Sequence, residues 1–263
     1  GQLFEAKVQA SFLLHLLIGG RIPCLPSGGV QSVRLQARQA GIHTDDVIVK
    51  VRTEASTEHR LFVQIKHHVT VRTSDKEFCE ALQNAWLDFN NQTTFSPHQD
   101  ALALVTGPQS DQMLQHIRPL LDWARTSAID KEFVAKVSTA GFSSDKKRRY
   151  LQVFRDILTE AAGKAVPDND LWQFLRHLYF LSYDFDVIEG SKDEASILTI
   201  LEMARVHGEL QIKPPPASET AHGNVVSMKT ARVTPEEEMR RCRFDPVFGP
   251  RATHGPGSRC NSP

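Results

Sequence analysis

The stretch Thr44-Asp45-Asp46-Val47-Ile48-Val49-Lys50-Val51-Arg52, followed by Leu61-Phe62-Val63-Gln64-Ile65-Lys66-His67-His68, decides the fold of this chain. In the first segment Val47, Val49 and Val51 fall on one side, and in the second Leu61, Val63 and Ile65 repeat the alternation, the period of two that marks a strand with one buried face. The polar residues 53–60 lie between them. Two neighbouring antiparallel strands joined by a turn are the expected result. Alternation then places Asp46, Ile48 and Lys50 on one face and Asp45 with the valines on the other, while Phe62, Gln64 and Lys66 share a face of the second strand. If the strands pair as a hairpin, Asp46 comes near the end where Gln64 and Lys66 emerge.

Working outward, residues 3–18 carry Leu3, Phe4, Val8, Phe12, Leu13, Leu16 and Leu17 at helical spacing, and Gly19-Gly20 ends the pattern. This helix is expected to be buried, with Glu5 sharing the face of Val8 and Phe12. Residues 21–41 are broken by Pro23, Pro26, Gly28 and Gly29, with a short strand over 30–35. Residues 73–91 place Phe78, Leu82, Ala85, Trp86 and Phe89 on one face of an amphipathic helix, and the apolar run 101–106 ending at Gly107-Pro108 suits a buried strand. Residues 110–127 are helical by period. The order of helix, strands, helix, strand and helix predicts an α/β fold: a mixed central sheet covered on both faces over residues 1–128.

Over 129–208 the signal turns to helices, at 146–163, 168–183 and 193–207, read as a helical subdomain. Beyond Lys213 the chain holds eight of its fourteen prolines and two aromatics without an apolar period, so 209–263 is expected to be a disordered tail.

The 263 residues carry 31 basic and 31 acidic side chains, so no global field draws the chain to polyanions, and any phosphate-binding surface must be local. Cys24, Cys79, Cys242 and Cys260 lack the short spacing of a zinc ribbon, and a chain of this length needs no disulfide framework; reduced thiols in a cytoplasmic protein are the simpler reading. No run reaches the roughly 18–20 apolar residues of a membrane span, and the apolar run 12–18 lacks a signal peptide's basic flank and cleavage site. The chain begins at Gly1 without Met and is expected to be trimmed or part of something longer.

The chemistry-bearing residues are hard oxygen donors beside an amine. Asp46, with Asp45 second, Gln64 and the helix carboxylate Glu5 are candidate ligands of Mg²⁺ or Mn²⁺, and Lys66 is the candidate cation beside it. Such a set suits phosphodiester hydrolysis, which needs a hydroxide near neutral pH and relief of charge on the phosphoryl oxygens. A buried Glu5 without a partner would be costly, and a metal gives it one. Each part has a plainer reading: Asp-Asp as a turn, Glu5 as a first-turn acid favoured by the helix dipole. His67 and His68 are expected on opposite faces and hence unable to chelate jointly. Lys146-Lys147-Arg148-Arg149 reads as a solvated helix start ahead of a phosphate clamp, and Trp86, Trp123 and Trp172 read as core.

Gly1-x-x-Phe4-Glu5 opening an apolar helix, Thr44-Asp45-Asp46-Val47, Gln64-Ile65-Lys66-His67 and Trp86-x-Asp88-Phe89 together resemble a nuclease effector domain of bacterial antiphage proteins. That domain is a branch of the PD-(D/E)xK, restriction-endonuclease-like superfamily, found in cyclic-oligonucleotide-activated effectors and in antiviral STAND ATPases. Residues 175–186 resemble the helical region accompanying it in the latter. The resemblance spans about residues 1–208 and implies an α/β/α nuclease core and Mg²⁺-dependent endonucleolytic cleavage of double-stranded DNA, released when a sensor module oligomerises the protein. Carried over, the acidic helix residue falls on Glu5, the strand-start aspartate on Asp46 or Asp45, and the Gln-x-Lys pair on Gln64 and Lys66. Gln64 replaces the Asp or Glu of the wider superfamily, which weakens metal affinity. No Gly-x-x-x-x-Gly-Lys-Ser/Thr loop occurs, so a C-terminal sensor or ATPase module is expected to be absent from this chain. The rival expectation is an inactive nuclease-fold module for nucleic-acid docking or oligomerisation.

Overall fold

A computed structural model describes residues 2–37, 41–185, 192–206 and 225–227. The valine-rich segments form the expected hairpin, β2 (Val47–Thr53) and β3 (Glu58–Ile65), antiparallel with Val47 opposite Val63 and Val49 opposite Leu61. Strand β1 (Gly28–Leu35) adds to β2 antiparallel, with a bulge between Val30 and Ser32. On the other side, β4 (Asp100–Thr106) lies parallel to β3 and β5 (Leu178–Ser182) parallel to β4. The sheet order is therefore β5-β4-β3-β2-β1, with the three-residue β6 (Val225–Ser227) antiparallel to β1 at the far edge. It is a mixed sheet, and the carboxyl ends of β3, β4 and β5 all emerge at one edge.

Alternation divides the core. Helix α1 (Gln2–Leu17) lays Phe4, Val8, Phe12 and Leu16 against Val47, Val49, Val51, Leu61, Val63 and Ile65. The opposite face, with Ile48, Phe62, Leu102 and Leu104, is covered by α2 (Lys76–Asn90), α3 (Arg118–Thr126), α4 (Asp130–Ser138), α5 (Asp145–Ala162) and α6 (Asp168–His177). Phe62, Phe78, Phe154 and Phe174 are wholly buried there; truncating a core phenylalanine of this kind costs about 3–5 kcal/mol. Helices flank both faces, as the order of elements predicts. Asp75 caps α2 by accepting the Phe78 amide, and Gly163, with φ of 66°, closes α5 in the left-handed conformation that glycine adopts without strain.

Three expectations are corrected. Residues 168–183 are not one helix: α6 stops at His177 and the next five residues form β5. Phe133, Phe154 and Trp172 from the expected helical subdomain join the same apolar cluster as Phe62 and Leu102, and Gly1–Met228 is one compact unit. Val225–Ser227, inside the expected disordered tail, pairs as a strand, while the rest of 209–263, including Cys242 and Cys260, lies outside the described residues. Residues 110–127 contain a π-helical turn, Met113–Ile117, before α3. A last helix, α7, spans Lys192–Val206. Among the described residues no helix is long and apolar enough to cross a membrane.

Candidate metal and phosphodiester site

The site grows from the open end of the β2–β3 hairpin. Val47 pairs with Val63, so the residue before Val47 meets the residues after Val63 just beyond the ladder. Asp46 uses that position to accept two hydrogen bonds at Oδ2, from Gln64 Nε2 at 2.6 Å and from the Ile65 backbone amide at 2.6 Å. The carboxylate is half-buried, and burial above all pushes its pKa up to about 6. The Ile65 amide pulls the other way, Glu5 and Asp45 repel the negative charge, and Lys66 offsets part of that repulsion. Glu5, Asp45 and Lys66 therefore all stand close enough to Asp46 for their charges to act on it, and Gln64 is in direct contact with it.

Glu5 is half-buried in the first turns of α1 and accepts a 3.0 Å hydrogen bond from Gln9. Lys66 leaves β3 toward α2, its Nζ 4.0 Å from Glu80 Oε2, and its backbone amide donates to Val105. Glu80 is on the exposed side of α2, so this weak pair leaves the ammonium available to a ligand.

Gln64 is 7 % exposed, and while its nitrogen donates to Asp46 its Oε1 has no hydrogen-bond partner among the described residues. Oε1 and the equally unpartnered Thr44 hydroxyl both belong to residues lining a cavity of about 10 Å³ walled by Ala81, Leu82, Ala85 and Leu104. A buried amide oxygen without a partner costs on the order of 1–3 kcal/mol. Such a cost marks Gln64 as a group whose preferred partner is a ligand, water or cation.

Two further contributors, Asp88 and Thr44, stand in the quoted motifs but are given no role by the sequence. Asp88, wholly buried on α2, accepts the His43 amide at 2.9 and 3.1 Å and the Thr44 amide at 2.5 Å, which anchors the loop two residues before Asp46. Its signal was present: an aspartate on the apolar face, three residues after Ala85. Thr44, 1 % exposed, had no such signal. His67 and His68 lie beyond β3, where strand alternation no longer holds, and their rings approach to 3.8 Å between centroids while Phe4 packs 4.5 Å from His67. The expectation that the two imidazoles point apart is thus corrected. Gly107 crosses so near them that a Cβ there would stand 3.0 Å from the His67 carbonyl oxygen.

Among the described residues no three His, Cys, Asp or Glu side chains converge on one point. A divalent cation here would take at most two of Glu5, Asp45 and Asp46, completed by amide and water oxygens. Mg²⁺ accepts that arrangement, because it keeps several waters and needs only one or two carboxylates. The oxygen-only donor set and the mutual repulsion of the carboxylates fit such an ion. Cys24 and Cys79 stand apart as free thiols, the first pushed up to about 12 by burial, which makes it a poor nucleophile. No protein-family model matches the chain, no curated protein matches it in sequence, and no solved structure matches it.

Proposed function

We propose that the protein is a metal-dependent endonuclease of restriction-endonuclease-like architecture that hydrolyses phosphodiester bonds of double-stranded DNA. The observation that carries this reading is the pairing of Asp46 with Gln64 where β3 ends, with Glu5, Asp45 and Lys66 near enough for their charges to act on Asp46. Helix α1 on one face of a mixed sheet and α2 on the other, with the acidic pair just before β2 and Gln-x-Lys at the end of β3, supports the finer fold assignment.

Asp46, Gln64 and one of Glu5 or Asp45 would hold Mg²⁺ or Mn²⁺, which supplies an ionised water near neutral pH and a Lewis acid for the phosphoryl oxygen. The Ile65 amide fixes the Asp46 carboxylate so that it need not reorganise on binding. Lys66, a point cation on a flexible stem, offsets charge developing on the phosphoryl group. Asp88 keeps the Asp45-Asp46 segment in place. The setting that agrees with the sequence resemblance is a cytoplasmic antiphage effector, switched on by oligomerisation through a sensor or ATPase module.

Incubating plasmid DNA with the protein and Mg²⁺, with and without chelator and beside Lys66→Ala, tests the proposal. Cleavage should require the cation and fall by about a hundredfold or more in the variant. Cleavage that survives both changes overturns it. Fusion to a forced oligomer supplies the activation step; DNA binding without cleavage in that fusion would favour an inactive docking module instead.

A further inference from the structure

A second group of side chains lies apart from the carboxylates. Phe142, in the loop between α4 and α5, is 57 % exposed and stacks on Trp123 of α3, the rings 5.1 Å apart and inclined by 24°. Lys147 Nζ stands 5.3 Å from the centre of the same indole. One turn along α5, Tyr150 stacks on His116 at 6.3 Å and 29°, and its hydroxyl donates to Gln112 Oε1 at 2.9 Å. Desolvation, then the charges of Lys147 and Lys146, hold the His116 imidazole below its ordinary range. Arg148 is tied to Asp145 and to the Ser143 carbonyl, which leaves Lys146 and Lys147 as the cations that act here among the described residues.

The group is continuous with the edge of the sheet. Tyr150 and Gln112 line a cleft of about 670 Å³ whose opposite wall is His67 and His68, the residues directly after Lys66. The carboxyl ends of parallel strands are where open α/β sheets commonly receive ligands. An exposed phenylalanine stacked on a half-buried indole beside two ammonium groups offers a flat face for a base and point charges for its phosphates. A duplex hides its base faces, so only an unpaired strand can use both.

We propose that Phe142, Trp123, Lys146, Lys147 and Tyr150 form a docking platform for single-stranded DNA, which the cleft leads toward Lys66. The destination of the strand rests on the endonuclease reading, whereas binding to the platform does not. The inference adds to the endonuclease reading a preference for duplex DNA that carries an unpaired strand over fully paired duplex.

The full chain titrated with a fluorescein-labelled oligothymidine of about fifteen nucleotides tests it, followed by anisotropy and by indole emission. Binding should quench the emission, since Trp123 is half-buried while Trp86 and Trp172 are buried. Phe142→Ala should weaken binding by about tenfold or more. Lys146→Ala with Lys147→Ala should weaken it and reduce the salt slope by about 1.4, two phosphate contacts on a single strand. Phe142 is exposed, so an unchanged thermal melt is expected and separates lost binding from lost folding. In a Lys66→Ala background Phe142→Ala should still weaken binding, even where cleavage is lost, so the two readings fail independently. Absence of binding, parental binding by both platform variants, or equal affinity for a blunt duplex would each overturn the platform.

Discussion

The two ends of β3 treat an aspartate in opposite ways. Near its start, Asp100 has no exposed side-chain surface, and Arg60 grips both its oxygens, Nε at 2.9 Å and Nη2 at 2.5 Å, while the Ser96 amide adds a third bond at 2.7 Å. The same guanidinium reaches the Thr94 carbonyl at 2.7 Å and lies over Phe62. Past its far end, Asp46 accepts hydrogen bonds from only neutral donors among the described residues, Gln64 and the Ile65 amide, and faces the like charges of Glu5 and Asp45, which Lys66 offsets in part. Asp88, also buried, resembles Asp100 in being fully matched, by three contacts to backbone amides. A fold that pairs its structural carboxylates so completely leaves Asp46 conspicuous, because uncompensated acids gather where a protein binds or reacts.

That contrast predicts opposite responses to substitution. Asp100→Ala strips Arg60 of its partner beside the core and should cost about 3–5 kcal/mol in urea unfolding, whereas Asp46→Asn should leave stability near neutral pH unchanged or raised. Equal losses at both positions would erase the distinction. Next in size is a pH effect. The Asp46 carboxyl binds its proton more tightly folded than unfolded, so its contribution is complete below about pH 4 and is lost as pH rises through about 6. The loss is on the order of 2–3 kcal/mol. In Asp46→Asn this sloping portion of the stability profile should flatten, and a profile identical to the parent's would refute the assignment. Smallest is the cation itself: Mg²⁺ at ten times its dissociation constant should raise stability by about 1.4 kcal/mol. Asp46→Asn should abolish that gain and Asp100→Asn should not, as differential scanning fluorimetry would register.

Much of this was legible in one dimension. The alternation of Val47, Val49 and Val51 against Leu61, Val63 and Ile65 specified the hairpin, because a one-residue slip would turn every buried side chain outward. The spacing of Phe4, Val8 and Phe12 and of Phe78, Leu82 and Ala85 specified the two helices that sandwich the sheet. The same alternation placed Asp46 and Gln64 together. Leu178-Tyr179-Phe180-Leu181-Ser182 was not legible as a strand, because a five-residue apolar run continues a helical pattern as readily as it starts a new one. Pairing with β4 settled its conformation. The stacking of His67 on His68 was likewise hidden, since it arises only where the ladder ends.

By itself the sequence determined the hairpin, the two helices that sandwich the sheet and which of their faces turn inward, for periodicity and burial are properties of neighbours along the chain. Tertiary structure alone decided that Asp88 clamps the loop before Asp46, that Arg60 closes on Asp100 forty residues away, and that Phe142 lies on Trp123. Those contacts join distant segments through hydrogen bonds and ring packing, and their partners are fixed only when the helices settle on the sheet.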